Sequence, residues 1–167
     1  MTTATIALSF ILMGCGSINQ YRQLDQESRS DLTTSIGGTI FRLNKSSNLP
    51  NVIGKADILG GKVDRGYAEL RLSSIKDGVL TLEVTEFNKS SAETTMDRYK
   101  PLQGNALQQV NVEQNININE SNQPNSYKFE FDPKKQKEIV ISGIKVTFLD
   151  VQPYSIRYVL EDIQNKK

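Results

Sequence analysis

Gly66-Tyr67-Ala68-Glu69-Leu70-Arg71-Leu72-Ser73-Ser74-Ile75-Lys76-Asp77-Gly78-Val79-Leu80-Thr81-Leu82-Glu83-Val84-Thr85-Glu86-Phe87 consists of two alternating runs joined by a turn signal. Ala68, Leu70 and Leu72 alternate with Tyr67, Glu69 and Arg71. After Lys76-Asp77-Gly78, Leu80, Leu82 and Val84 alternate with Thr81, Glu83 and Thr85. Period-two alternation on both sides of an Asp-Gly turn specifies a β-hairpin with one apolar face. Keeping both apolar sets on that face restricts the register to steps of two. Pairing Leu72 with Leu82 sets Arg71 opposite Glu83 and Tyr67 opposite Phe87. A slip by two sets Glu69 against Glu83, which is repulsive, so the first register is expected.

The same alternation recurs outward from this hairpin. It appears in Thr39–Leu43, in Tyr127–Phe131, in Ile144–Phe148 and in Tyr154–Leu160. It also runs through Val110–Asn119, where Val110, Val112, Ile116 and Ile118 oppose an amide-rich face. About seven to eight such strands, each with one dry face, predict an all-β fold: a single antiparallel β-sandwich or open β-barrel.

Composition narrows the function. There are 20 basic and 19 acidic residues, a net charge of +1, so nothing favours phosphate-rich partners and nucleic acid is not expected. Histidine is absent, which removes the commonest general base and metal ligand and any Ser-His or Cys-His pair. No catalytic constellation and no cofactor are expected. Cysteine occurs once, at Cys15, so no intrachain disulfide can form.

The position of that cysteine is informative. Residues Ala4 to Gly14 form an uncharged, mostly apolar run of about eleven residues, the length of a signal-peptide h-region and too short for a membrane-spanning helix. The run ends in Leu12-Met13-Gly14-Cys15, which resembles the lipobox of bacterial lipoproteins. The resemblance implies cleavage before Cys15, with Leu12 and Gly14 read by the signal peptidase, and acylation of Cys15 by lipid, palmitate included. With Gly16 and not Asp after the cysteine, it also implies outer-membrane delivery. The chain departs from the family at Met1-Thr2-Thr3, which carries no Lys or Arg, and at Met13, where a small residue is usual. The resemblance covers only the first fifteen or so residues.

The expected organisation is therefore a signal peptide over 1–14, the lipidated cysteine and a polar tether over 15–35, and a β-rich domain over 36–167. As a random coil, twenty tether residues would span roughly 25 Å. A short surface helix using Ile18, Tyr21 and Leu24 is the alternative.

Asn44–Arg65 is the longest gap between clear strands and the expected binding surface, with Lys55, Asp57, Lys62 and Asp64 as its candidates. Tyr67 and Phe87 would add an aromatic pair on the polar face. Gly61-Lys62 does not complete a phosphate loop: position 56 is Ala and Val63 follows the lysine. Asp57, Asp64 and Asp97 lack calcium-loop spacing, so no metal is expected. The expected function is a non-enzymatic envelope lipoprotein, membrane-anchored outside the cytoplasm in the outer membrane, whose periplasmic or surface β-domain binds a partner protein or polymer or supports an envelope assembly. The alternatives are a carbohydrate- or peptidoglycan-active accessory enzyme and a lipid-carrying barrel. Two facing acids in a cleft would mark the first alternative and a hollow interior the second.

Overall fold

The computed structural model describes residues 16–98 and 123–164. Leu12, Gly14, Cys15 and the Asn111–Asn119 run lie outside the described residues. Two antiparallel sheets build the domain. The first contains β1 (Gln20–Leu24), β3 (Thr39–Asn48), β4 (Lys62–Lys76), β5 (Val79–Asn88) and β6 (Asn125–Phe131), in the order β1-β3-β4-β5-β6. The second contains β2 (Leu32–Ser35), β7 (Glu138–Ile141), β8 (Ile144–Val151) and β9 (Ser155–Asp162), in the order β2-β9-β8-β7. The sheets do not close on one another, so the open-barrel alternative gives way to a sandwich. The single helical element among the described residues is one turn, α1 (Thr95–Arg98).

The deciding hairpin has the expected register: Leu72 pairs with Leu82, Arg71 with Glu83 and Tyr67 with Phe87. Asp77 and Gly78 adopt φ of 54° and 83°, the left-handed pair that a two-residue hairpin loop needs. The charges that favour this register find other partners. Arg71 lies 3.6 Å from Glu69 and donates to the carbonyl of Gly37, while Glu83 is shared by Lys128, Ser73 and Ser126. The Ser126 hydroxyl, followed by the Lys128 charge, holds Glu83 below the ordinary carboxylate range.

The apolar faces meet in one core. Phe41, Leu43, Leu70, Leu72, Leu80 and Leu82 from the first sheet pack against Ile144, Val146, Ile156 and Leu160 from the second, all essentially inaccessible. Each such side chain contributes about 1.5–3 kcal/mol of transfer free energy. Two contacts tie the layers directly: Phe131 and Phe148 have ring centroids 5.1 Å apart, and the Tyr158 hydroxyl donates to the Ile40 carbonyl at 2.8 Å. Burial pushes the Tyr158 phenol up to about 12. A register shift between Thr39 and Phe41 lets both Ile40 and Phe41 turn inward, where simple alternation would expose Ile40.

Three strands differ from the sequence reading. The segment expected as a tether carries β1, paired with β3 from Gln20↔Ser47 to Leu24↔Leu43, and β2, paired with β9 from Leu32↔Tyr158 to Ser35↔Ser155. Neither a coil nor a surface helix forms there, and the folded unit begins well before residue 36. Both are short edge strands, which bury little and therefore carry few apolar residues. The third, β7, has a readable signal: the β-branched Ile139-Val140-Ile141 run is followed by Ser142-Gly143, a second two-residue turn.

Candidate functional site

A concavity opens at one end of the sandwich. There the second sheet stops at the Ser142-Gly143 turn, while β1, β3, β4 and β5 of the first sheet continue past it. Alternation along those strands still points side chains inward, but the inward residues become polar. On β3, Leu43 is followed by Lys45 and Ser47 at two-residue steps; on β5, Val84 is followed by Glu86; on β1, Leu24 is preceded by Arg22. With no facing strand among the described residues to cover them, these residues line a cleft of about 620 Å³ together with Arg65, Asn88, Ser142 and Gln164.

The cleft wall is built by a bulge. Asp64 accepts a hydrogen bond from the Gly66 amide at 2.8 Å, and the register slips between Lys45 and Ser46. Gly66 stands at φ 97°, and a Cβ there would lie 1.9 Å from the Phe87 carbonyl oxygen, so only glycine fits. The bulge throws Arg65 toward the mouth. Its Nε donates to Ser47 Oγ at 2.8 Å and its Nη1 to the Ser91 carbonyl at 3.2 Å.

The mouth carries Arg22, Lys45 and Arg65 against Glu86, the sole acid of its lining among the described residues. Arg22 Nη2 donates to the Ser142 carbonyl, and Ser142 Oγ donates to Glu86 at 2.6 Å. Lys45 Nζ donates to Asn88 at 3.2 Å. Arg22 Nη1 is buried with no hydrogen-bond partner among the described residues. A buried guanidinium nitrogen without an acceptor costs about 1–3 kcal/mol or more, so the arrangement favours an acceptor of negative charge.

The residues singled out from sequence do not converge on this cleft. The gap is shorter than expected, since β3 extends to Asn48 and β4 starts at Lys62. Lys55 is exposed on the connecting loop, whereas Asp57 is 7% exposed and accepts from the Gly61 amide at 3.1 Å. Its role there is to close a turn. Lys62 Nζ stacks 4.3 Å from the Tyr21 ring centroid at the cleft rim. Asp64 is taken by Gly66 and by Lys89 at 3.4 Å, and Asp97 bonds Thr94 beside α1. The three aspartates are thus engaged separately.

Tyr67 and Phe87 do come together, with centroids 5.7 Å apart, on the outer face of the first sheet. They are half-buried, and Arg42 lies 3.8 Å over the Tyr67 ring while reaching Glu69 at 3.1 Å. This face is a bonded polar network with an aromatic centre.

A second feature is the loop between β3 and β4, which is folded into two successive turns. Asn51 Oδ1 accepts from the amides of Ile53 and Lys55 at 3.1 and 2.9 Å, and the Gly54 amide returns to the Asn51 carbonyl. Asp57 repeats the device with Gly60 and Gly61. Val52, Ile53, Ile58 and Leu59 occupy the turn corners, 65–94% exposed. Thr95 bonds to the Pro50 carbonyl nearby, and Arg98 holds Glu93 by two contacts of 2.8 Å, keeping that carboxyl below its ordinary range.

No helix among the described residues is long and apolar enough to cross a membrane. Comparison with family models, with curated proteins and with solved structures gave no match for this chain.

Proposed function

We propose that this chain is a bacterial envelope lipoprotein, anchored by lipid on Cys15, whose β-sandwich acts without catalysis as a binding domain for an acidic group of a partner protein or polymer. The observation that carries the reading is the charge of the mouth: Arg22, Lys45 and Arg65 against Glu86, with Arg22 Nη1 buried and unpartnered among the described residues. Clustered cationic side chains draw carboxylate or phosphate oxygens through charge-assisted hydrogen bonds.

Two further features support binding over the alternatives. Hydrolysis of a glycosidic bond uses two facing carboxyl groups, and among the described residues Glu86 is the single acid in the lining. A carrier needs an apolar hollow, and here the space between the sheets is filled by Leu, Ile, Phe and Val side chains. Outer-membrane delivery follows from the lipobox resemblance with Gly16 after the cysteine.

The test is titration of the lipidated protein, in detergent, with polyglutamate, polyphosphate and neutral dextran, read on the arginine Nε–H resonances. Both acidic polymers should shift the Arg22 and Arg65 signals to saturation, with affinity falling as salt rises, and dextran should leave them unmoved. Silence toward both acidic polymers ends the binding reading. The anchor is tested apart from it: Cys15→Ser should abolish incorporation of labelled palmitate and release the protein from the membrane.

A further inference from the structure

Turn corners are the positions where water normally selects Pro, Asp, Ser or Gly. The two turns between β3 and β4 instead present Val52 at 69%, Ile53 at 67%, Ile58 at 94% and Leu59 at 65% exposure. Exposed aliphatics gathered on two successive turns point to an interaction site. We propose that these twin turns form a membrane-contact surface, with the four aliphatics seated at the boundary of headgroups and acyl chains of an anionic bilayer and Lys55 among the headgroups. The proposal rests on the lipid-anchor reading above and adds a second, non-covalent point of contact.

Three observations select lipid as the occupant. The first is where the chain enters. The Gly16 carbonyl accepts the Ala56 amide at 3.1 Å, and Ala56 lies between the two turns. Cys15 is the residue joined to Gly16 in the chain. Acyl chains on Cys15 would therefore start beside the exposed aliphatics. The second is backbone satisfaction. Asn51 and Asp57 take up the amides at the bases of the turns, so burial of the corners in lipid leaves those donors paired. The third is charge. Over residues 51–60 the charged side chains are Lys55, exposed, and Asp57, buried and bonded, so the surface offered outward is apolar with one cation. A contact of this kind adds to an acyl anchor, since membrane affinity scales with buried apolar area plus attraction to anionic lipid.

The chain contains no tryptophan, so single indoles report cleanly. Ile58→Trp places one on the second turn. Tyr154→Trp places one on the turn between β8 and β9, at the end of the sandwich away from Ser142. Lipidated protein is reconstituted on phosphatidylglycerol–phosphatidylcholine vesicles with brominated acyl chains. The Ile58→Trp indole should shift to shorter wavelength and be quenched, and the Tyr154→Trp indole should show neither effect. In a Cys15→Ser background, Ile53→Ser and Leu59→Ser should each lower partition onto anionic vesicles about tenfold. Lys55→Glu, which leaves the turns intact, should weaken binding to anionic but not to neutral vesicles.

An unquenched, water-like indole at position 58 in palmitate-labelled, vesicle-bound protein would overturn the contact surface and leave the anchor standing. A blue shift already complete without vesicles would also overturn it, because a second copy would then cover the patch. Quenching in protein that takes up no palmitate would support the surface and remove the anchor.

Discussion

Arg22 on β1 reaches across the mouth of the sandwich and donates through Nη2 to the carbonyl of Ser142, on the tight turn that joins β7 to β8 in the facing sheet. A residue of the expected tether thereby links the two layers. Backbone protection follows from this. Limited trypsin treatment should cut after Lys134 and Lys135, exposed on the turn after β6, well before it cuts after Arg22, whose flanking amides belong to the β1–β3 ladder. The order of fragments by mass spectrometry checks it, and early release of a fragment ending at Arg22 would restore the tether.

Gly66 and the Phe87 carbonyl set the second prediction. Gly66→Ala places a Cβ 1.9 Å from that oxygen, in a backbone conformation that itself costs a non-glycine residue about 1–2 kcal/mol. The neighbour is backbone and cannot swing aside. The variant should lose about 3 kcal/mol or more, read as a lower urea midpoint. Gly54→Ala, at φ 74° with nothing within 4 Å, should lose only about 1 kcal/mol.

Tyr158 makes stability depend on alkaline pH. Its phenol rises from 10.0 in the unfolded chain to about 12 in the fold. A raised folded pKa means the contribution is complete below pH 10 and is lost as pH climbs through 10 to 12. The loss amounts to about 2–3 kcal/mol. Tyr158→Phe should cost about 1 kcal/mol at neutral pH, for the hydrogen bond to Ile40, and should flatten this alkaline slope. Parallel pH profiles for the two proteins in chemical denaturation would refute the assignment.

Asp57 is structural, so its chemistry should show in stability. Asp57→Ala strips the acceptor from the Gly61 amide and should cost about 1–3 kcal/mol, with Asp57→Asn costing less because the amide oxygen can stand in. Polyglutamate binding should survive both substitutions, since Asp57 is absent from the mouth lining.

The site was partly legible. Stepping by two from Leu43 reaches Lys45 and Ser47, and from Val84 reaches Glu86. Charged residues in the inward phase of a strand are the signal that could have located the cleft. It is easily missed because alternation shows the phase of a strand and not where its covering sheet ends. Asp57 and Asp64 stood out as free acids because a sequence does not reveal the amide of Gly61 or of Gly66 beside them.

The all-β class, the deciding hairpin and its register were determined by the sequence alone, because period-two patterning and an Asp-Gly turn are local and each allows few arrangements. Which sheet each strand joins, and that β1 and β2 join any, was decided by the tertiary structure. Edge strands bury too little to leave an apolar pattern, and Gln20–Leu24 and Leu32–Ser35 become strands only because β3 and β9 offer unpaired backbone groups to them. The cleft is tertiary for the same reason: its charges become neighbours only where one sheet outruns the other.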